Sequence, residues 1–184
     1  MALTLIKEDG TGKVDANSYA DAVDGDAYHE GHLYATAWTA ATTQNKEKAL
    51  VFATRLIDSQ YQFNGWRAHD ERGLQWPRDH CPDPDKGLGA LVLLRLLGAS
   101  FVDFDVVPKA VVDATCEMAR ELLILDRTTA PPGEGISYTY AGTDGTGYSK
   151  RDTRPIISHV AQAMLGKYGG LIGGGSGAVR LVRA

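Results

Sequence analysis

His29, Glu30, Gly31 and His32 form the first cluster in the chain with metal-ligand chemistry. A zinc-protease helix carries His-Glu-x-x-His, which sets two imidazoles one turn apart with the glutamate as base. Here the second histidine stands at i+3, Leu33 occupies i+4, and no downstream ligand set follows. The cluster therefore reads as a helix end. Asp24-Gly25-Asp26 resembles a piece of a calcium loop. With Gly25 as the loop glycine, the ligand positions fall on Ala20, Ala22 and Gly31, and the pattern fails. Asp79, His80, Cys81, Asp83 and Asp85 gather ligand types, but Pro82 and Pro84 make the segment a stiffened surface loop. Gly173, Gly174, Gly175 and Gly177 lack the Gly-Lys-Ser/Thr of a phosphate loop, and there is no Gly-x-Ser-x-Gly elbow. No candidate has two parts pointing to one chemistry, so the expectation is a protein that is not an enzyme, with no cofactor and no metal.

A different chemistry is stacking. Trp38, Trp66 and Trp76, with Tyr61 and Phe63, could stack unpaired bases, and Arg67, Arg72 and Arg78 lie among them. The competing reading packs these aromatics on the core behind a long helix, with the arginines reaching outward to water. Charge favours the second. Beyond residue 147 there are six basic residues against Asp152 alone, a surplus of five. The net charge of -4 then leaves -9 on the first 147 residues, and an acidic body repels phosphate. The basic C-terminal end suits an acidic partner or a copy of the chain's own body.

The elements that must position these residues are mostly helical. Asn17 and Ser18 offer an N-cap for a short helix over 18–30, with Asp21, Asp24 and Asp26 favouring its positive end. Ala49, Leu50, Ala53, Leu56, Ile57 and Tyr61 repeat with a 3.6-residue period and predict a helix over 43–62, ended by Asn64-Gly65. Residues 66–87 read as loop. An apolar stretch, 88–97, is too short to cross a bilayer. Pro108 suits the first turn of a second strong helix over 107–126, whose buried face is Val111, Val112, Thr115, Met118, Ala119, Leu122 and Leu123. Residues 136–148 alternate and then turn, as a β-hairpin does. Pro155 opens a short helix through about 168. The architecture expected is mainly α: a small helical bundle over 1–168 with an inserted hairpin, then a flexible, glycine-rich arm over 169–184. In an extended strand Val179, Leu181 and Arg183 share one face of that arm, and Arg180 and Val182 the other, a pattern suited to docking by strand addition.

The chain has 184 residues, enough for one domain with its own core. Two cysteines, Cys81 and Cys116, without CxxC spacing make no disulfide framework. Residues 1–10 carry Lys7, Glu8 and Asp9 and do not read as a signal peptide. Synthesis in a reducing cytoplasm is expected.

Ala16-Asn17-Ser18-Tyr19, Asp26-Ala27-Tyr28-His29, Lys48-Ala49-Leu50 and Ala53-Thr54-Arg55-Leu56-Ile57-Asp58 occur in order. Gly65-Trp66-Arg67, Leu74-Gln75-Trp76-Pro77-Arg78, Val107-Pro108-Lys109-Ala110-Val111 and Ala114-Thr115-Cys116-Glu117-Met118-Ala119 follow. The chain ends in a glycine-rich run and Val179-Arg180-Leu181-Val182-Arg183. This order resembles the head-to-tail connector proteins of tailed bacteriophages, a family also labelled DnaT-like single-stranded-DNA-binding proteins. The resemblance implies a helical adaptor assembled as a dodecameric ring beneath the portal protein. Such a ring lengthens the DNA channel and carries the next tail component, a stopper or nozzle. It implies a virion location, synthesis in the host bacterium, passage of genome DNA without specific binding, and no membrane. Val179, Arg180, Leu181, Val182 and Arg183 are then the arm that docks on the portal. The alternatives are a single-stranded-DNA-binding replication protein and a small metal-dependent hydrolase built on His29, His32 and the 79–85 loop.

Overall fold

The computed structural model describes residues 3–69, 71, 73–85, 101–129, 136–140, 145–148 and 154–172. Among these, five helices and six short strands form, and the strands pair as three antiparallel two-stranded ladders. The apolar stretch over 88–97 lies outside the described residues, and no described helix is long and apolar enough to cross a membrane.

Helix α1 spans Ala22–Glu30. Its N-cap is Asp21 and not Ser18: Asp21 accepts from Val23 N and Asp24 N, and Asp24 returns a bond to Asp21 N. That reciprocal pair satisfies orphan donors of the first turn. The residues expected to cap have other work. Asn17 accepts from Ile6 N and donates to Thr4 O, pinning the N-terminal segment. Ser18 is buried and bonds Ala20 O, and the non-helical segment 17–20 delivers Tyr19 and Ala20 to the core.

After the short α2 (Thr36–Thr39), α3 spans Thr43–Gln60 with Thr42 as its cap. It buries Leu50, Ala53 and Ile57 as its period requires, while Leu56 is only half-buried. The helix stops two residues before the expected end. Tyr61 turns extended and begins β1, Tyr61–Phe63, which pairs with β6, Gly169–Leu171. The Asn64-Gly65 turn ends that strand and not the helix. This pairing also corrects the tether expected to start at 169. A Cβ on Gly169 would lie 2.4 Å from Gln62 O, so the glycine serves close backbone approach. Ile172 N then donates to Gln60 O.

Residues 66–87 are not all loop: β2, Trp66–Arg67, pairs with β3, Arg78–Asp79. Helix α4 spans Lys109–Ile124, shorter than 107–126 at both ends, with Pro108 as N-cap. It packs against α1, α2, α3 and α5 and is the hub of the fold. Its buried face is correspondingly wider than expected and takes in Ala114, Cys116, Glu117 and Arg120, while Val112, Leu122 and Leu123 are half-buried. The expected hairpin forms as β4, Ile136–Tyr140, and β5, Gly145–Tyr148, with Tyr140 opposite Gly145. Helix α5 covers only His159–Leu165, capped by Ser158. It starts after Pro155 because the Arg127 guanidinium donates to Pro155 O and Ile156 O and holds that segment out of a helix.

Candidate functional site

Histidine 29 is buried on α1, and its Nε2 lies 3.2 Å from the Cys116 carbonyl. A carbonyl only accepts, so Nε2 carries the hydrogen. Burial pushes the His29 pKa down. The ring sits 5.0 Å from Trp38, whose indole N–H donates to Asp26 Oδ1, and Lys46 pairs with the same carboxylate at 2.6 Å. His32 Nε2 is 3.9 Å from Glu117. Among the described residues no group of three or more His, Cys, Asp or Glu is placed to hold a metal. Around the 79–85 segment, Asp79 Oδ1 accepts from His80 N and lies 2.8 Å from His80 Nδ1, and burial pushes the Cys81 thiol up to about 11. A thiol so raised is protonated near neutrality and is a poor ligand.

The aromatic and arginine set divides. Trp38 and Trp76 are buried, as is Phe63. Arg78, expected to reach outward, is buried too. Its Nε donates to Asn64 O, Nη2 to Gly65 O, and Nη1 to Gln75 O and Oε1. Those bonds clip the Asn64-Gly65 turn to the segment entering β3. A buried guanidinium is expensive unless its donors are met, and the carbonyls of that turn meet them. Gly65 lies at φ +71°, and a Cβ there would stand 2.2 Å from Asp79 O. Only glycine lets the turn close on β3.

One tryptophan stays out. Trp66 is 56 % exposed. Its ring stacks on His80 with centroids 4.3 Å apart and planes at 22°, and His80 in turn lies 5.0 Å from Phe101. His80 adopts φ +55°, a left-handed conformation uncommon outside glycine. Beside Trp66 opens a cavity of about 560 Å³ lined by Gln62, Gly65, Trp66, Arg67, Gln75 and Arg78. The sequence named Trp66, Arg67 and Arg78 for stacking, offered His80 only as a metal-ligand type in the 79–85 segment, and missed Gln62 and Gln75. A signal was present, since Asn64-Gly65 is a turn dipeptide with aromatics on both sides. The partner strand lies a dozen residues away, beyond reach of that local pattern.

Other charged groups run along α4 and its C-terminal flank. Arg120 pairs with Glu117 at 2.6 Å and Glu121 at 2.7 Å, and Glu121 pairs with Arg127 at 2.9 Å. Glu117 and Arg120 are buried, so this chain of charges sits inside the fold. Residues Val179, Arg180, Leu181, Val182 and Arg183 lie outside the described residues.

The described residues thus define a small, mainly helical protein whose inner arginines serve its own fold and whose hairpin presents one aromatic platform. Residues 3–184 match the family described as "Putative DnaT-like ssDNA binding protein", and the chain belongs to that family. That description names a binding protein and not an enzyme. Comparison with curated proteins and with solved structures finds no match.

Proposed function

We propose that this chain is a non-enzymatic head-to-tail adaptor of a tailed-phage virion, standing as a ring beneath the portal and carrying the next tail component. The observation that carries this reading is the use made of its cations. Arg78, Arg120 and Arg127 donate to the chain's own carbonyls and carboxylates, and the first 147 residues have a net charge of -9. A protein that grips single strands needs the opposite, a basic groove with successive stacking rings. A ring through which DNA slides is served by an acidic surface that does not hold phosphate.

In this reading the arm docks the subunit through Val179, Arg180, Leu181, Val182 and Arg183, with two apolar anchors on one face and Arg180 on the other. Deleting 178–184 removes attachment to the portal and yields heads without tails. Co-sedimentation with portal rings and electron microscopy of assembled particles test this. Infectious particles built from the truncated protein overturn the adaptor arm.

The second reading, a single-stranded-DNA-binding protein, is favoured by the family description and by the exposure of Trp66. Titration of the full chain with labelled oligonucleotides at physiological salt separates the two. The adaptor reading expects affinity weaker than about 1 μM, and a binding protein of this kind expects tighter.

A further inference from the structure

The groove between α1 and α2 contains a polar group that the fold leaves unsatisfied. Val23, Asp26, Ala27 and Glu30 form one outer stripe of α1. With Trp38 and His29 they line a cavity of about 490 Å³. Gly25 lets Trp38 close on the helix, since a Cβ there would stand 2.2 Å from Trp38 Cζ2. His29 is buried, and its Nδ1 has no hydrogen-bond partner among the described residues. The Cys116 carbonyl on α4 takes the Nε2 hydrogen, which fixes the tautomer and leaves Nδ1 a bare acceptor. The ring carries its two nitrogens on diverging edges. With Nε2 turned to α4, the Nδ1 edge is left for the cavity that His29 lines. Burial pushes the His29 pKa down, so the ring stays neutral and the acceptor stays available. Charge around the cavity is one-sided: its lining includes two carboxylates and no lysine or arginine. Asp26 is already answered by Lys46 at 2.6 Å, and that ammonium also lies over the Trp38 ring at 5.0 Å. Glu30 is exposed and has no ion-pair partner among the described residues. It stands in the last turn of α1, where the helix dipole is negative.

We propose that this groove binds one alkylguanidinium group, which donates an N–H to His29 Nδ1, pairs its charge with Glu30 and lays its stem on Val23 and Ala27. A guest needs three things to suit the space: a donor for the buried nitrogen, a positive charge for the carboxylate, and a short apolar stem. A guanidinium presents several donors in one fixed plane, so it can serve both acceptors at once, and it is more weakly hydrated than an ammonium. The cavity is in the usual size range for small-ligand sites. Because Asp26 is spent on Lys46 and Trp38, Glu30 is the carboxylate left for the guest. The group can be carried by a free small molecule or by an arginine of another chain, and the chemistry recognised is the same. One ion pair and one hydrogen bond give weak binding. The site lies on other elements than the Trp66 hairpin and does not depend on the adaptor reading, which stands whether or not the groove binds.

The test is titration of the full, isotope-labelled chain with n-butylguanidinium and with n-butyltrimethylammonium, followed by NMR of the imidazole nitrogens. Butylguanidinium should bind with a dissociation constant of about 0.1–10 mM and should shift the His29 Nδ1 signal. The quaternary ion has the charge and the stem but no N–H, and should bind at least about tenfold more weakly. Glu30→Gln should weaken butylguanidinium about threefold, as loss of an exposed ion pair does. Acetyl-arginine methylamide distinguishes the sources. If it binds more tightly than butylguanidinium, the group is an arginine of another chain; if equally or less tightly, a free guanidinium compound. No binding at about 50 mM butylguanidinium overturns the proposal. So does equal affinity for the quaternary ion, an unmoved His29 Nδ1 signal at saturation, or unchanged affinity in Glu30→Gln. The comparison of the two cations uses the unaltered chain, so it decides alone should Glu30→Gln misfold.

Discussion

Tyr19 concentrates three hydrogen bonds on one buried oxygen. The hydroxyl donates to Asp58 Oδ1 at 2.5 Å and accepts from Gln75 N and Trp76 N at 2.9 and 3.1 Å. Asp58 Oδ2 also accepts from Gln75 N. This junction ties the N-terminal segment, α3 and the approach to β3 at one point. Tyr19→Phe keeps the ring and loses the bonds, and should destabilise by about 1–3 kcal/mol in urea titration. Desolvation raises the Asp58 pKa to about 6, and the Tyr19 bond opposes that rise. The same variant should therefore titrate Asp58 at higher pH by carboxyl NMR. The sign for stability follows from binding the proton more tightly folded than unfolded, where a carboxyl titrates near ~3.9. The contribution is complete below about pH 4 and lost as pH rises through about 6. Asp58→Asn should flatten stability against pH over that window, and an unchanged slope would place the titration elsewhere.

At the scale of elements, α4 is the piece whose environment is least local. It is covered by four helices, so its buried surface includes an ion pair and not only an apolar stripe. Arg120→Leu leaves Glu117 buried without its partner and should cost about 3–5 kcal/mol, whereas the double Glu117→Leu/Arg120→Leu should recover much of it. Chemical denaturation of the three proteins checks this, and equal losses in single and double variants would show that shape, not charge, is at stake. On α3, Ile57 is fully buried against the core, and Ile57→Ala should lose about 2–5 kcal/mol by leaving a cavity. The period of Leu50, Ala53 and Ile57 made that face legible in the sequence, because each side chain's direction on a helix depends only on its neighbours. Glu117 and Arg120 were not legible. Their burial depends on α1 and α2 crossing a face that looks solvated in isolation.

Across the whole molecule, every residue of the described core lies at or before Tyr168. Deleting 178–184 should therefore leave the melting temperature of the body unchanged, and on the proposed adaptor reading should remove attachment to the portal. A lowered melting temperature would mean that the segment contributes to the body's own fold. The separation of charge belongs to the same scale. Acid dominates the first 147 residues and base the last 37, so any contact between the C-terminal end of one copy and the body of another should weaken with salt.

What the sequence determined by itself is whatever a window of a dozen residues contains: two amphipathic helices, a hairpin over 136–148, a short helix somewhere after Pro155, and the lack of any complete catalytic or metal motif. What only the tertiary structure decided depends on segments far apart in the chain. Helix α3 ends at Gln60 because Tyr61–Phe63 finds a strand partner in Gly169–Leu171, more than a hundred residues on. Helix α1 begins at Ala22, capped by Asp21, because residues 17–20 are tied to the N-terminal segment and the core. Arg78 turns inward because the Asn64-Gly65 turn offers it carbonyls, and Trp66 stays outside because His80 supports it from beneath. Periodicity fixes which way a side chain points from its own helix; only the other segments fix whether that direction is core, partner or water.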